Sequence, residues 1–474
     1  MPFNSFNFWL LFPFIFIICM AIPQRAHRWQ NGFLLLVSYL LYMNWNPAFA
    51  IVLFGITLIT YIGGIFFAAG KQRMCIWFAL LALLPLVVFK YYGFINENVT
   101  SLLETAGLHF SLPGLNWAIP VGISFFTFQA VGYVFDVYHG RCEVEKNFLD
   151  YALFVSFFPQ ITSGPISTAS ELMPQIKSPQ RVEYRDVVQG LKWLVWGMFI
   201  KLVIADRLGM FVDIVYANYI HYSGAMCFVA SVAYTLQIYC DFAGYSLMAI
   251  GIASTLGFRL INNFNRPYFA ASVTEFWRRW HISLTRWLTT HVYIALGGSR
   301  CSRWKQYLNI MVTFLVSGLW HGANWTFVVW GAIHGLLQVI EKVLFGEKIK
   351  AEIKSHVRHL TLSRGVRIVV TFLLVSFAWI FFRMPSLADS CSVIGRILTL
   401  QSSSAGMPLD SIVVISLGMA LPVLILREWR EEFCPQSITL LNKPIVKWMF
   451  YLFLFCFLLT MGVLDGGQFI YVSF

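Results

Sequence analysis

Residues 314–331 read Phe314-Leu-Val-Ser-Gly-Leu-Trp-His-Gly-Ala-Asn-Trp-Thr-Phe-Val-Val-Trp-Gly331. They lie inside an apolar segment, 307–343, that is too long for one bilayer crossing, which takes roughly 20 residues. Gly318, His321 and Gly322 break it near its middle. An apolar helix interrupted in this way reads as a helical hairpin inside a membrane, with a short first limb. Outward from it, further apolar runs meet the same length criterion at 3–22, 29–45, 47–69, 74–92, 117–138, 187–205, 225–250, 366–382, 410–426 and 446–464. Trp29, Trp45, Tyr91, Tyr92 and Trp117 stand at their ends, as interfacial aromatics do.

Composition agrees. Of 474 residues, 58% are hydrophobic and 12% charged, against roughly 45–50% and about 25% in soluble proteins. So few charges cannot cover a water-exposed surface. The fold class is therefore all-α and polytopic, with roughly ten to twelve transmembrane helices. Residues 1–464 form one transmembrane domain, and 465–474 form an extracytoplasmic tail. Secreted, disordered and nucleic-acid-binding readings are excluded. The excess of 34 Lys and Arg over 22 Asp and Glu, +12, is first the orienting charge of cytoplasmic loops. Nine scattered cysteines without a C-x-x-C pair argue against a zinc site or a disulfide scaffold, and no metal is expected. Met1–Phe8 lacks a basic n-region, so the apolar start reads as a retained helix.

Sidedness follows from Lys and Arg. Arg25 and Arg28, Lys71 and Arg73, Arg141 and Lys146, the cluster from Lys342 to Arg367, and Arg427 to Lys447 are assigned inside. Residues 93–116, which hold Glu97 and Glu104 but no Lys or Arg, are outside, as are 384–409 and the last ten residues. Two regions are not simple crossings. Residues 150–185 mix apolar stretches with Pro and Gly, and 258–306 interleave short apolar pieces with Arg, Asn, Trp and His. Non-helical backbone at membrane depth must be satisfied by protein or by a water-filled cavity, so both are expected to line one. There is no soluble domain and no internal repeat; 401–406 is a flexible loop.

His321 is the leading candidate for chemistry. It sits at the bend of the apolar hairpin, far in sequence from any charge, where an ionisable group is costly and functional by default. Imidazole also suits proton transfer near neutral pH. Gly318 and Gly322 are expected to leave room for a substrate. The second cluster is Glu275-Phe-Trp-Arg-Arg-Trp-His-Ile-Ser-Leu-Thr-Arg-Trp287. Two readings stand. In one, Arg278, Arg279 and Arg286, followed by Arg300, Arg303 and Lys305, meet the phosphates of a donor at a cytoplasmic mouth. In the other, an interfacial helix snorkels its arginines to lipid headgroups. His281 is either a second catalytic group or a structural one. His334 lies thirteen residues past His321, about 20 Å along an unbroken helix, and reads as a packing or donor-channel residue. At the C-terminal end, Gly466 and Gly467 form a hinge. The six residues from Asp465 to Tyr471 span about 20 Å when extended, enough for Tyr471 to reach mid-membrane as an acyl relay; the bland alternative is an aromatic anchor. The chain has no phosphate loop and no G-x-S-x-G elbow. No crossing shows paired acids.

At Asn262-Asn-Phe-Asn-Arg-Pro-Tyr268, Glu275–Thr285, Val292-Tyr-Ile-Ala-Leu-Gly-Gly298 and Gly318-Leu-Trp-His-Gly-Ala-Asn-Trp325 the sequence resembles the membrane-bound O-acyltransferase superfamily. Phe158–Pro165 adds weaker support, and the motif core spans 258–343. The nearest branch holds the alginate and peptidoglycan O-acetylase membrane subunits and the teichoic acid D-alanyl transfer protein. The chain departs from the pattern at His291 and Ala295, where tyrosine and proline are expected. The resemblance implies re-entrant pieces around a central tunnel, His321 as the catalytic histidine, and His281 close to the same path. It also implies a cytoplasmic acyl donor and an extracytoplasmic acceptor. Phe469, Tyr471 and Phe474 match the branch's Phe-x-Tyr-x-x-Phe motif residue by residue.

The expected function is an O-acetyltransferase in the bacterial cytoplasmic (inner) membrane. Acetyl-CoA would dock at Arg278, Arg279, Arg286 and Arg300. His321 would act as base toward Tyr471, and an SGNH-hydrolase-like partner would pass the acetyl to a polysaccharide outside. The alternatives are transfer of D-alanine from a carrier protein and, from another class, a lipid-linked sugar transporter.

Overall fold

The computed structural model describes residues 3, 5–108, 113–115, 117–355, 360–434 and 443–463, with 347–355 as backbone alone. Every regular element among them is helical. The chain divides into two compact units, Met1–Leu191 with Ala249–Ile261, and Lys192–Met248 with Asn262–Phe474.

The first unit opens with α1 (Phe6–Ala21) and α2 (His27–Met43). Between them the chain bends by 103°, beside Pro23, which has no N–H to continue a helix. Then come α3 (Pro47–Ala68), α4 (Gln72–Leu86), a π-helical turn at Val87–Tyr91 and α5 (Tyr92–Thr105). After them follow α6 (Ile123–Tyr138), α7 (Phe148–Ser156), α8 (Phe158–Ile161) and α9 (Ala169–Lys177). Side-chain caps start several of these. Asn46 accepts from Ala48 N–H ahead of Pro47, Asn147 accepts from Leu149 N–H, and Thr168 with Glu171 forms a capping box.

The expected crossing 117–138 is shorter than read. Gly122 has φ 75°, and a Cβ there would overlap the Ile161 carbonyl, so the helix starts only at Ile123. Every residue of α6 except Phe135 and Tyr138 is buried within protein. The irregular stretch is also packed: Tyr151–Ser167 is buried throughout, and the Gln160 amide donates to the Pro165 carbonyl at 2.8 Å. Protein, rather than the expected cavity, satisfies that backbone.

Helices α10 (Tyr184–Met198) and α12 (Gly224–Thr255) contribute to both units; between them lie a π-helical turn, Phe199–Ala205, and α11 (Asp206–Ala217). The second unit continues with α13 (Val273–Arg279), α14 (Ile282–Leu288), a π-helical turn at Thr289–Tyr293, α15 (Arg303–His321) and α16 (Trp325–Ser355). It ends with α17 (Leu362–Arg383), α18 (Leu387–Leu398), α19 (Ser411–Phe433) and α20 (Pro444–Met461). The core of this unit is aromatic, with Trp280, Trp330 and Trp379 fully buried.

Among the described residues, seven helices are long and apolar enough to cross a membrane, and the bent α1–α2 pair adds one more. This is fewer than the ten to twelve expected, because α1 and α2 count as one bent span, α6 and α10 are too short, and α15 carries Arg303, Lys305, Gln306 and Asn309 in its first two turns. Two acids on different elements do share one lysine. Lys201 is 1% exposed, lies 2.7 Å from Asp206 and pairs with Asp241 of α12. No single run carries both acids, so spacing within a run did not reveal them.

Candidate active site

α15 ends at His321 because Gly322 turns extended and Asn324 starts the next helix, its side-chain oxygen accepting from Thr326 N–H at 2.9 Å. The chain reverses there, so α15 and α16 form the expected hairpin, with a first limb of 19 residues. The glycines have another job than the one expected of them. A Cβ on Gly318 would overlap the Phe327 carbonyl, one on Gly331 the Phe314 carbonyl, and one on Gly322 the Phe327 ring. They let the two limbs touch, as small residues do between membrane helices, and do not open space for a substrate.

The His321 ring is 2% exposed. It meets Trp320 at 4.9 Å, Trp330 at 4.9 Å and Phe382 at 5.1 Å between ring centroids, each edge-on. Trp320 also contacts His281, at 5.7 Å, so one indole joins the two histidines expected to lie close to one path. His281 is fully buried against Phe242 and has left-handed backbone, φ 43°. Asn263 holds that turn. Its carbonyl accepts from Ile282 N–H at 2.9 Å, its side-chain oxygen accepts from Ser283 N–H at 3.2 Å, and its amide donates to Ser246 Oγ at 3.1 Å. A buried non-glycine residue in this conformation stores strain of the kind found at functional sites. His281 lies outside the crossing helices, and burial pushes its imidazole down to about 3, which keeps it neutral. The hairpin also brings His334 close. Its ring and that of His321 both contact Trp330 at 4.9 Å, and its Nδ1 accepts from the Trp277 indole N–H at 3.2 Å.

Beside the hairpin lies a cavity of about 360 Å³. Trp277 and Arg278 of α13, Leu284 and Leu288 of α14, Phe314 and Ser317 of α15, and Gln338 and Lys342 of α16 line it, with Tyr293, Ser299 and Gly346. Gly331 packs on Gly318, so the limbs are antiparallel and in register there. From that level to Lys342 is roughly 16 Å along α16. Lys342 thus stands toward one end and Ser317 at the other. Ser317 precedes His321 by four residues and shares its helix face.

Of the four arginines predicted for a donor, only Arg278 lines the cavity. Arg279 faces away and is 4% exposed. It donates to Glu432 at 2.9 and 3.1 Å, pairs with Glu275 and donates to the Arg266 carbonyl at 3.2 Å. A guanidinium so occupied is a structural group and not a phosphate ligand. Arg286 and Arg300 are exposed and lie outside the lining, although Ser299, next to Arg300, is in it. Lys342, read at first only as an orienting charge, is the second cavity cation. Glu341 was missed as well; its carboxylate accepts from Val273 N–H at 2.6 Å and from Thr274 N–H and Oγ at 2.9 Å, tying α13 to α16. The motif Asn262–Tyr268 was a signal for Asn263, whereas nothing local pointed to Glu432. Tyr471, with Phe469 and Phe474, lies outside the described residues.

Residues 143–382, just over half of the chain, match the model of the MBOAT, membrane-bound O-acyltransferase family. The chain is 36% identical over 394 residues to the probable alginate O-acetylase AlgI of Pseudomonas aeruginosa, covering 82% of this chain and 73% of that protein. It is 34% identical over 407 residues to the peptidoglycan O-acetyltransferase of Helicobacter pylori, covering 78% and 74%. It is 28% identical over 327 residues to the teichoic acid D-alanyltransferase of Streptococcus thermophilus, covering 64% and 74%. With this extent of match and identity, the chain belongs to the membrane-bound O-acyltransferase family and is a membrane acyltransferase.

Proposed function

We propose that this acyltransferase takes acetyl from acetyl-CoA on the cytoplasmic side of the bacterial inner membrane and delivers it outward for O-acetylation of a polysaccharide. The observation that carries the reading is the cavity, which is lined by two cations, Arg278 and Lys342, and reaches Ser317, one helical turn from His321. A CoA phosphate fits the charged end, and its narrow pantetheine arm suits the rest. Identities of 34–37% to O-acetylases, against 28% and 24% to D-alanyltransferases, favour acetyl over D-alanine.

The chemistry balances with one imidazole. His321 takes the proton of an attacking hydroxyl as that oxygen bonds the thioester carbon. The C–S bond breaks, and the CoA sulfur receives the proton from His321. The hydroxyl we assign is that of Tyr471, from which an SGNH-hydrolase-like partner outside the membrane would take the acetyl. A phenol of pKa about 10 leaves nearly as readily as a thiol of about 8.5, so the relay keeps the acetyl activated. The aromatic rings around His321 exclude water from the imidazole and so from a thioester brought to it. The test is transfer of labelled acetyl from acetyl-CoA by protein in nanodiscs. His321→Ala should insert and fold but lose transfer, and full activity in that variant rejects the reading. Acetyl on Tyr471, sought by mass spectrometry, tests the relay.

A further inference from the structure

After the π-helical turn Thr289–Tyr293 the chain loops back onto the first turns of α15. The Asn309 amide donates to the Gly298 carbonyl at 3.1 Å, and the Gln306 amide donates to the Ser299 and Cys301 carbonyls at 3.1 and 2.8 Å. These bonds place Arg300 beside Arg303 and Lys305, and all three side chains are exposed. Among the described residues none of the three has an ion-pair partner. No Asp or Glu occurs between Glu275 and Glu341, so no neighbour in sequence neutralises them.

Large apolar side chains stand out of the same surface. Trp304, between Arg303 and Lys305, is 77% exposed, and Ile294 and Leu308 are each 53% exposed. Water penalises such apolar area, and hydrocarbon penalises unpaired cations. The headgroup layer of a bilayer accommodates both, with apolar side chains at the acyl boundary and cations at the phosphates. Position agrees. Gly318 packs on Gly331, and Arg303 lies fifteen residues before Gly318, roughly 22 Å along α15. That is the direction in which Lys342 lies on α16, toward the end of the hairpin where the apolar run gives way to charge.

From this, we infer that Arg300, Arg303 and Lys305, with Trp304 and Leu308, form a docking surface for anionic phospholipid. The cations take the headgroup phosphate, and Trp304 and Leu308 sit among the upper carbons of the acyl chains. Charge complementarity selects an anionic lipid over a zwitterionic one, whose own ammonium offsets its phosphate. The other phosphate within reach is the donor's, since Ser299, next to Arg300, lines the cavity. Acetyl-CoA carries no hydrocarbon chain beside its phosphates, so it would leave Trp304 and Leu308 uncovered.

The experiment uses the full chain in phosphatidylcholine nanodiscs that contain a minor fraction of lipid brominated on its acyl chain near the headgroup, either phosphatidylglycerol or phosphatidylcholine. Trp304 emission is the difference between wild type and Trp304→Phe. Brominated phosphatidylglycerol should match the quenching by brominated phosphatidylcholine at about a tenth of its concentration. Raising the salt should shrink that preference, which tests the site without touching its cations. The triple variant Arg300→Gln, Arg303→Gln, Lys305→Gln should melt as wild type in phosphatidylcholine. Its Trp304 should be quenched equally by the two lipids, and its KM for acetyl-CoA should be unchanged. No quenching by either lipid places the patch in water and overturns the inference, as does equal quenching by both in wild type. A preference undiminished at high salt, or kept by the triple variant, rejects the three cations as its source. A several-fold rise in KM in the triple variant, measured in phosphatidylcholine alone, hands the cations to the donor instead.

Discussion

Arg279 grips both carboxylate oxygens of Glu432, across 153 residues of sequence, at 3.1 and 2.9 Å. Its neighbour Arg278 turns into the cavity. Successive residues on a helix point about 100° apart, so an Arg-Arg pair can serve two surfaces. One cation braces α13 against α19, and the other faces the cavity.

The two arginines should therefore separate on mutation. Arg279→Ala leaves buried Glu432 with Arg266, at 3.0 Å, as its remaining close partner, so the cost should stay below the about 3–5 kcal/mol of an uncompensated buried charge, and the melting temperature in nanodiscs should drop. Arg278→Ala should melt as wild type and raise the KM for acetyl-CoA several-fold. The reverse pattern would reassign the pair.

His321→Ala should lower transfer by at least about 10²-fold, within the range of general acid–base catalysis, with some loss of melting temperature from the cavity it leaves. Its ring makes aromatic contacts, so His321→Phe, which keeps them, is the control for packing. It should melt like wild type and be as inactive as the alanine variant.

Gly318→Ala should destabilise the hairpin. The added methyl meets the Phe327 backbone, which cannot swing aside as a side chain would. Overpacking of this kind costs about 1–3 kcal/mol. Gly365→Ala, on α17 with open space around the glycine, should be neutral. Thermal unfolding of the two variants makes the comparison.

At His281 the backbone separates two effects. His281→Asn tolerates left-handed geometry and should fold, whereas His281→Val should cost at least about 1–2 kcal/mol through steric strain alone. If the imidazole touches the reacting path, the asparagine variant will lose kcat while melting normally. Wild-type kcat would make His281 purely structural.

The membrane class, the all-helical fold, the reversal at Gly318–Trp325 and the histidine at its tip were all legible in the residues. Each depends on quantities that add along the chain, such as apolar length, charge per loop and a break in a run. The uses of Gly318, Arg279 and Lys342 were not legible. Gly318 looks like room for a substrate until α16 fills it, and Arg279 looks like Arg278 until Glu432 arrives from α19. Lys201 and its two aspartates come together only where a π-helical turn meets α12. Hydropathy and charge are properties of a residue and its neighbours in sequence, so the chain alone determined where helices run and which are apolar. Partnership in a low-dielectric interior depends on which distant groups share the space, so only the tertiary structure decided which cation faces the cavity and which is paired away.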